Sequence, residues 1–222
     1  MTVSPGIPQL LVVGLGNIPF PNTRHRFVLY LISPPLTDFL YSVGHLIVDA
    51  LASRFGIRMS PNRVLNGFTG RSQVVLGDLN VDLTLFKPST STHRTVSPTQ
   101  PHAPEPLMNI TGPAVATTLR HTAKIPGAMI VIHDSLQHKP KTLSVKFGGS
   151  ANGHNGVRSV IAALGGDFNF HRFRIGIGRD GDAASYVLGR LSTEECAHWD
   201  VGGGLDMVCK ELAKIALKLP VT

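Results

Sequence analysis

The sequence predicts one α/β domain spanning 1–222, with a mixed, mostly parallel central sheet and helices on both faces. Three observations carry this reading. Short apolar runs of strand length, Leu10–Val13 and Ala128–His133 among them, alternate with stretches of helical spacing. Two further runs, Phe68–Val75 and Asn80–Phe86, flank the turn Leu76-Gly77-Asp78-Leu79 and read as an antiparallel hairpin. Polar or glycine-started loops follow the strands, the place where open α/β sheets carry their sites.

The elements follow in order. Leu10–Val13 is a buried parallel strand, and Gly14-Leu15-Gly16 lets the backbone turn and approach something closely. Val43–Phe55 is a helix, with Val43, Leu46, Ile47, Ala50, Leu51 and Phe55 on one face and Gly56 as its stop. After the hairpin, residues 89–106 are rich in Ser, Thr, Pro and His and have no period. Asn109–His121 is a helix, Ala128–His133 a strand that delivers Asp134, and Leu143–Phe147 a short strand. The run Gly148–Gly156 is glycine-rich and feeds a helix over Val157–Leu164, an arrangement suited to a polar or anionic ligand. Phe173–Ile177 is another strand, and Leu205–Leu219 an amphipathic covering helix with Lys210, Lys214 and Lys218 on its solvated face.

Composition narrows the function. The net charge of +7 and pI near 9.8 favour a polyanionic partner such as RNA. No apolar run reaches the ~20 residues of a membrane span, and the N-terminus lacks the blocks of a secretory signal and the arginines of a transit peptide. A cytoplasmic protein is expected, with a mitochondrial one as the alternative. Cys196 and Cys209 are too few for a disulfide framework and are expected to be reduced. The histidines show no metal-ligand spacing, and no phosphate-binding P-loop occurs.

Chemistry concentrates first in residues 9–25, where Asn17, Asn22, Thr23, Arg24 and His25 follow the first strand. His25 is the one group there able to take a proton near neutral pH. A dinucleotide loop is disfavoured, because Pro19 stands where the third glycine of that fingerprint belongs. An ordinary turn with a surface histidine is the alternative on this segment alone.

The segment does not stand alone. V-G-L-G-N…T-R-H resembles the opening signature of bacterial-type peptidyl-tRNA hydrolases. Further family pieces come in the family's order: Lys87-Pro88, Met108-Asn109-Ile110-Thr111-Gly112, Val131-Ile132-His133-Asp134, Lys146-Phe147-Gly148-Gly149, Gly153-His154-Asn155-Gly156, Phe170–Gly178 and Tyr186-Val187-Leu188-Gly189. The resemblance implies the same α/β architecture and hydrolysis of the ester between a peptide and the tRNA 3′ ribose, which recycles tRNA. It implies His25 as general base and Asp134 as the carboxylate orienting it. Asn17 and Asn109 would hold substrate and water, and Asn155 the peptide or oxyanion side. Met108 would form an apolar wall. Phe20 stands where the family usually has Tyr, so stacking on the 3′ end survives while a hydroxyl contact does not. Lys146 and Arg174 would contact tRNA phosphates, with Arg158 and Arg172 as candidates to widen the patch; Lys139 and Lys141 are candidates too, but a solvated surface charge is the safer reading of both. The implied partner is peptidyl-tRNA; no cofactor, metal, membrane or obligate protein partner is implied, and a monomer is expected. Two other classes stay open: a non-catalytic RNA-binding member of the family, and a small-molecule hydrolase on the same fold.

Two 16-residue stretches, 26–41 and 91–106, fit nothing in the family. Removing the first joins Thr23-Arg24-His25 to Ser42-Val43-Gly44, the family's T-R-H-[NS]-x-G. Removing the second restores the family spacing from Lys87-Pro88 to Met108-Asn109. The first is apolar and interrupted by Pro34-Pro35, which forbids one continuous helix. The expectation is that both are translated introns or gene-model errors and not evolved lids, the alternative that long loops allow.

Overall fold

The computed structural model describes residues 6–16, 42–89, 110–179 and 191–220. Its strands are β1 (Gln9–Gly14), β2 (Ser60–Asn62), β3 (Gly67–Leu76), β4 (Leu79–Pro88), β5 (Met129–Ser135), β6 (Leu143–Phe147) and β7 (His171–Gly176). Its α-helices are α1 (Val43–Arg54), α2 (Gly112–His121), α3 (Asn155–Ala163), α4 (Thr193–Asp200) and α5 (Gly203–Ala216). The strands form one sheet in the order β2-β3-β4-β1-β5-β7-β6. The middle is parallel, with β1 between β4 and β5 and with β7 beside β5. Both flanks are antiparallel, β2-β3-β4 on one side and β7-β6 on the other.

Alternation along the strands builds the two layers. Leu10 and Val12 of β1, with Ile130 and Ile132 of β5, enter the core under α1, α4 and α5. Leu11 and Val13, with Met129 and Val131, enter the opposite core under α2 and α3. These side chains are almost fully buried, each worth roughly 1.5–3 kcal/mol relative to exposure. A strand with apolar residues on both faces, as Leu10–Val13 are, therefore belongs in the middle of the sheet, and β1 sits there.

The close approach expected at Gly14 is made to the protein itself. A Cβ on Gly14 would lie 2.3 Å from the Gly44 carbonyl oxygen, and one on Gly44 would lie 2.4 Å from the Leu15 carbonyl oxygen. The first turn of α1 thus rests directly on the end of β1. Lys87, at the end of β4, donates to both carboxylate oxygens of Asp49 on α1, at 2.5 and 2.7 Å, and ties the helix to the sheet from the other side. The helix ends where Gly56 takes φ +63°, with the Ile57 N–H returning to the Ala52 carbonyl.

Several boundaries move from their expected places. The hairpin turn tightens to Gly77-Asp78, with Gly77 at φ +63°, so both strands gain residues. β5 runs on to Ser135, which puts Asp134 within the strand. α3 starts at Asn155 because His154 caps it. β2 and α4 have no counterpart in the sequence reading. α4 does carry a signal: Ser192 and Glu195 form a capping box, and Trp199, 1% exposed, anchors the helix.

Candidate active site

The carboxyl ends of β1 and β5 meet at one place. The Leu15 N–H donates to the Ile132 carbonyl at 2.9 Å, so the chain leaving β1 passes beside Asp134. A Cβ on Gly16 would lie 2.3 Å from Ser42 Cβ. The chain therefore departs after Gly16 and returns at Ser42 to the same point, next to the end of β5.

Asp134 is bonded to His154. The imidazole Nε2 lies 3.1 Å from Asp134 Oδ1, and the two side chains are only 11% and 20% exposed. The cap decides the tautomer. His154 Nδ1 accepts the Val157 N–H at 3.2 Å, so the ring proton sits on Nε2 and is donated to the carboxylate. Burial pushes the Asp134 pKa up, but the hydrogen bond from His154 and the attraction of that imidazole outweigh it and hold the carboxyl below its ordinary value. His133 packs edge-on against His154 with ring centroids 4.5 Å apart. Its Nδ1 donates to the Asp134 carbonyl at 2.7 Å, and burial, with His154 next in weight, takes its pKa down to about 3. His45, at the start of α1, is driven to about 3 by burial and by Lys87. Both His133 and His45 are neutral imidazoles.

The glycine run after β6 wraps the neighbouring sheet face. Gly148, Gly149, Asn152 and Gly153 all have positive φ, from +49° to +82°, which only such a residue set allows in succession. Arg172 of β7 holds this loop from below. It is 1% exposed, donates through Nη1 to the Ser150 carbonyl at 2.6 Å, and bonds the Gly148 carbonyl through Nη2. Lys146 is its register partner across the β6–β7 ladder, and Arg174 is that of Ser144. Arg174 is half-buried and donates to Ser144 Oγ at 2.7 Å.

A family model described as peptidyl-tRNA hydrolase matches residues 40–218. The chain belongs to that family. The peptidyl-tRNA hydrolase of Haemophilus influenzae is 32% identical over 185 residues, 82% of this chain and 78% of that protein. That of Actinobacillus succinogenes is 30% identical over 205 residues, 91% and 88% of the two chains. A solved structure, a single-residue variant of peptidyl-tRNA hydrolase from Acinetobacter baumannii, superposes with a TM-score of 0.68 at 26% identity, covering 97% of this chain and 92% of its own. The α/β fold is the peptidyl-tRNA hydrolase fold.

Of the site residues the family resemblance implies, Asp134, Lys146, Asn155 and Arg174 are described. Asn17, Phe20, His25, Met108 and Asn109 lie outside the described residues, as do the 186–189 motif and the stretches 26–41 and 91–106. Asn155 forms the first turn of α3, one residue from the His154–Asp134 pair, so these two halves of the implied site come together. Lys146 and Arg174 lie on adjacent strands, two register steps apart along the ladder. One expectation changes. Arg172 does not widen a phosphate patch, because its guanidinium is buried and its Nη1 and Nη2 are bonded to loop carbonyls. Lys141 is paired with Glu194. His154 is the residue that sequence reasoning missed; its signal was its place in the glycine run directly before a helix, the N-cap position.

Proposed function

We propose that the chain hydrolyses the ester between a peptide and the 3′ ribose of tRNA, freeing the tRNA for reuse. Membership of the peptidyl-tRNA hydrolase family supports the reaction. The carrying structural observation is the convergence of the segment before residue 17, the Asp134 carboxylate and the first turn of α3 at one end of the sheet.

In this reading His25 takes a proton from water as the water attacks the ester carbonyl, and returns it to the departing ribose hydroxyl. Asp134 orients the His25 imidazole and stabilises its cation. With Oδ1 bonded to His154, its second oxygen serves that purpose. Asn155 and the opening turn of α3 face the oxyanion or the peptide, where N–H groups at a helix start favour negative charge. Asn17 and Asn109 hold substrate and water, Met108 lines the pocket and Phe20 stacks on the terminal nucleoside. Lys146 and Arg174 take phosphates of the acceptor end. No step calls for a metal or a cofactor, and the chain acts as a monomer in the cytoplasm.

The test is release of labelled peptide from a purified model peptidyl-tRNA, with aminoacyl-tRNA as control. Wild-type protein should release peptide, and His25→Ala should lower kcat by roughly 10²–10⁴-fold. Absence of release by wild-type protein refutes the activity. A His25→Ala protein that keeps half of the wild-type kcat removes His25 from the mechanism.

A further inference from the structure

A cavity lies against the glycine loop. Its volume is about 610 Å³, and its walls are the 149–153 backbone, Arg158, Ile161 and Phe168. Ligand clefts commonly run from roughly 300 to 1,000 Å³.

Phe168 is held out into it by the local backbone. The Asp167 carboxylate accepts the Asn169 N–H at 2.8 Å, and the Phe170 N–H returns to the Phe168 carbonyl at 2.9 Å. Phe170 is buried and pins the turn, whereas Phe168 is 48% exposed. A Cβ on Gly148 would lie 3.6 Å from Phe168 Cδ2, so the ring stands over the start of the loop. The rim is cationic. Lys146 Nζ lies 3.1 Å from the position a Cβ would take on Gly149, and Arg158 is exposed on α3. Neither has a carboxylate partner among the described residues. Gly153, on the wall, is one residue from His154 and the carboxylate it holds.

An exposed aromatic face beside a basic rim is how proteins hold an unpaired base without reading its sequence: the ring stacks and the cations take the flanking phosphates. We propose that this cavity receives an unpaired nucleobase of the substrate's tRNA, stacked on Phe168, with Arg158 and Lys146 on the phosphates beside it. The single-stranded 3′ end supplies such a base close to the reacting ester. The inference rests on the peptidyl-tRNA reading.

The experiment measures binding of fluorescently labelled deacylated tRNA by anisotropy, across a salt series, for wild type, Phe168→Ala, Phe168→Leu and Phe168→Trp. KM is measured in parallel for the same tRNA carrying two different peptides. Phe168 is exposed, so the variants should melt with the wild type. Loss of one stacked base should weaken tRNA binding about 5-fold or more in Phe168→Ala and Phe168→Leu, while Phe168→Trp keeps it. The slope of log K against log salt should stay that of wild type, since no phosphate contact is lost. KM should rise by the same factor for both peptides. Leucine supporting full affinity, or a KM change that follows the peptide while deacylated tRNA binds normally, overturns the proposal; the second result makes the cavity a peptide site. Wild-type release of peptide, read in the same series, separates failure of the cavity from failure of the activity.

Discussion

Asp134 and His154 should behave as one unit, and the link can be measured apart from its side effects. His154 does two jobs: it caps α3 through Nδ1 and donates to Asp134 through Nε2. Alanine would lose both, so the informative change is His154→Asn. Asparagine is among the best N-cap residues, which keeps the helix start while the bond to the carboxylate is lost. A hydrogen bond to a charged group is worth about 1.5–3 kcal/mol, and the low exposure of both side chains places this one in that range without a large discount for solvent. Urea unfolding of wild type, His154→Asn, Asp134→Asn and the double variant should therefore give a coupling of about 1.5–3 kcal/mol near neutral pH. The same cycle in kcat should be less than additive, because Asp134 orients the proposed base only while His154 holds it. The pH dependence has a definite sign. The Asp134 pKa is lower folded than its ordinary 3.8, so its contribution is full above that value and is lost as the pH falls through the folded one. The coupling should accordingly fade only below about pH 4. Singles that add to within about 0.5 kcal/mol would falsify the link between the two residues.

Arg172→Met leaves the Gly148 and Ser150 carbonyls without their guanidinium, the first of them in a buried residue, and should cost about 2–3 kcal/mol, or roughly 5–10 °C in Tm. Its tRNA salt slope should equal that of wild type; a slope reduced by about 1 would return Arg172 to the phosphate patch. Lys146→Ala should lower that slope by about 1 with no change in Tm, whereas Arg174→Ala should lower Tm as well, since it also loses the Ser144 bond. Removing residues 26–41 leaves nine residues, 17–25, between Gly16 and Ser42, which already touch. A protein lacking 26–41 and 91–106 should be more soluble and at least as active; a mature transcript retaining both, together with an inactive deletion protein, makes them functional insertions.

Much of the fold is legible in the chain because it depends on residue type at regular spacing. β1 and β5 are apolar at successive positions and lie in the sheet's middle; the β3–β4 hairpin carries Gly-Asp at its turn. β2 was not legible: three residues, Ser-Pro-Asn, form an edge strand that only its pairing with β3 defines. α4 has too few apolar residues to show a period, and its capping box was the better guide.

The site divides along the same line. That Asp134 lies near the end of a strand follows from the apolar run before it; that His154 is its partner does not, because the pair is 20 residues apart and meets only through the path of the glycine loop. Arg172 and Arg174 make the point most sharply. They are two residues apart on β7 and so lie on one face, and nothing in the local sequence separates them. Register does. Lys146 stands opposite Arg172 and Ser144 opposite Arg174, and the chain leaving β6 just beyond Lys146 folds back over Arg172. The loop's carbonyls therefore fall on Arg172 and bury it as a support, while Arg174, two register steps further along the ladder, keeps part of its surface open. A shift of β6 by two residues would bring Lys146 opposite Arg174, so the division of labour between these two cations is a property of the β6–β7 register and not of the arginines themselves.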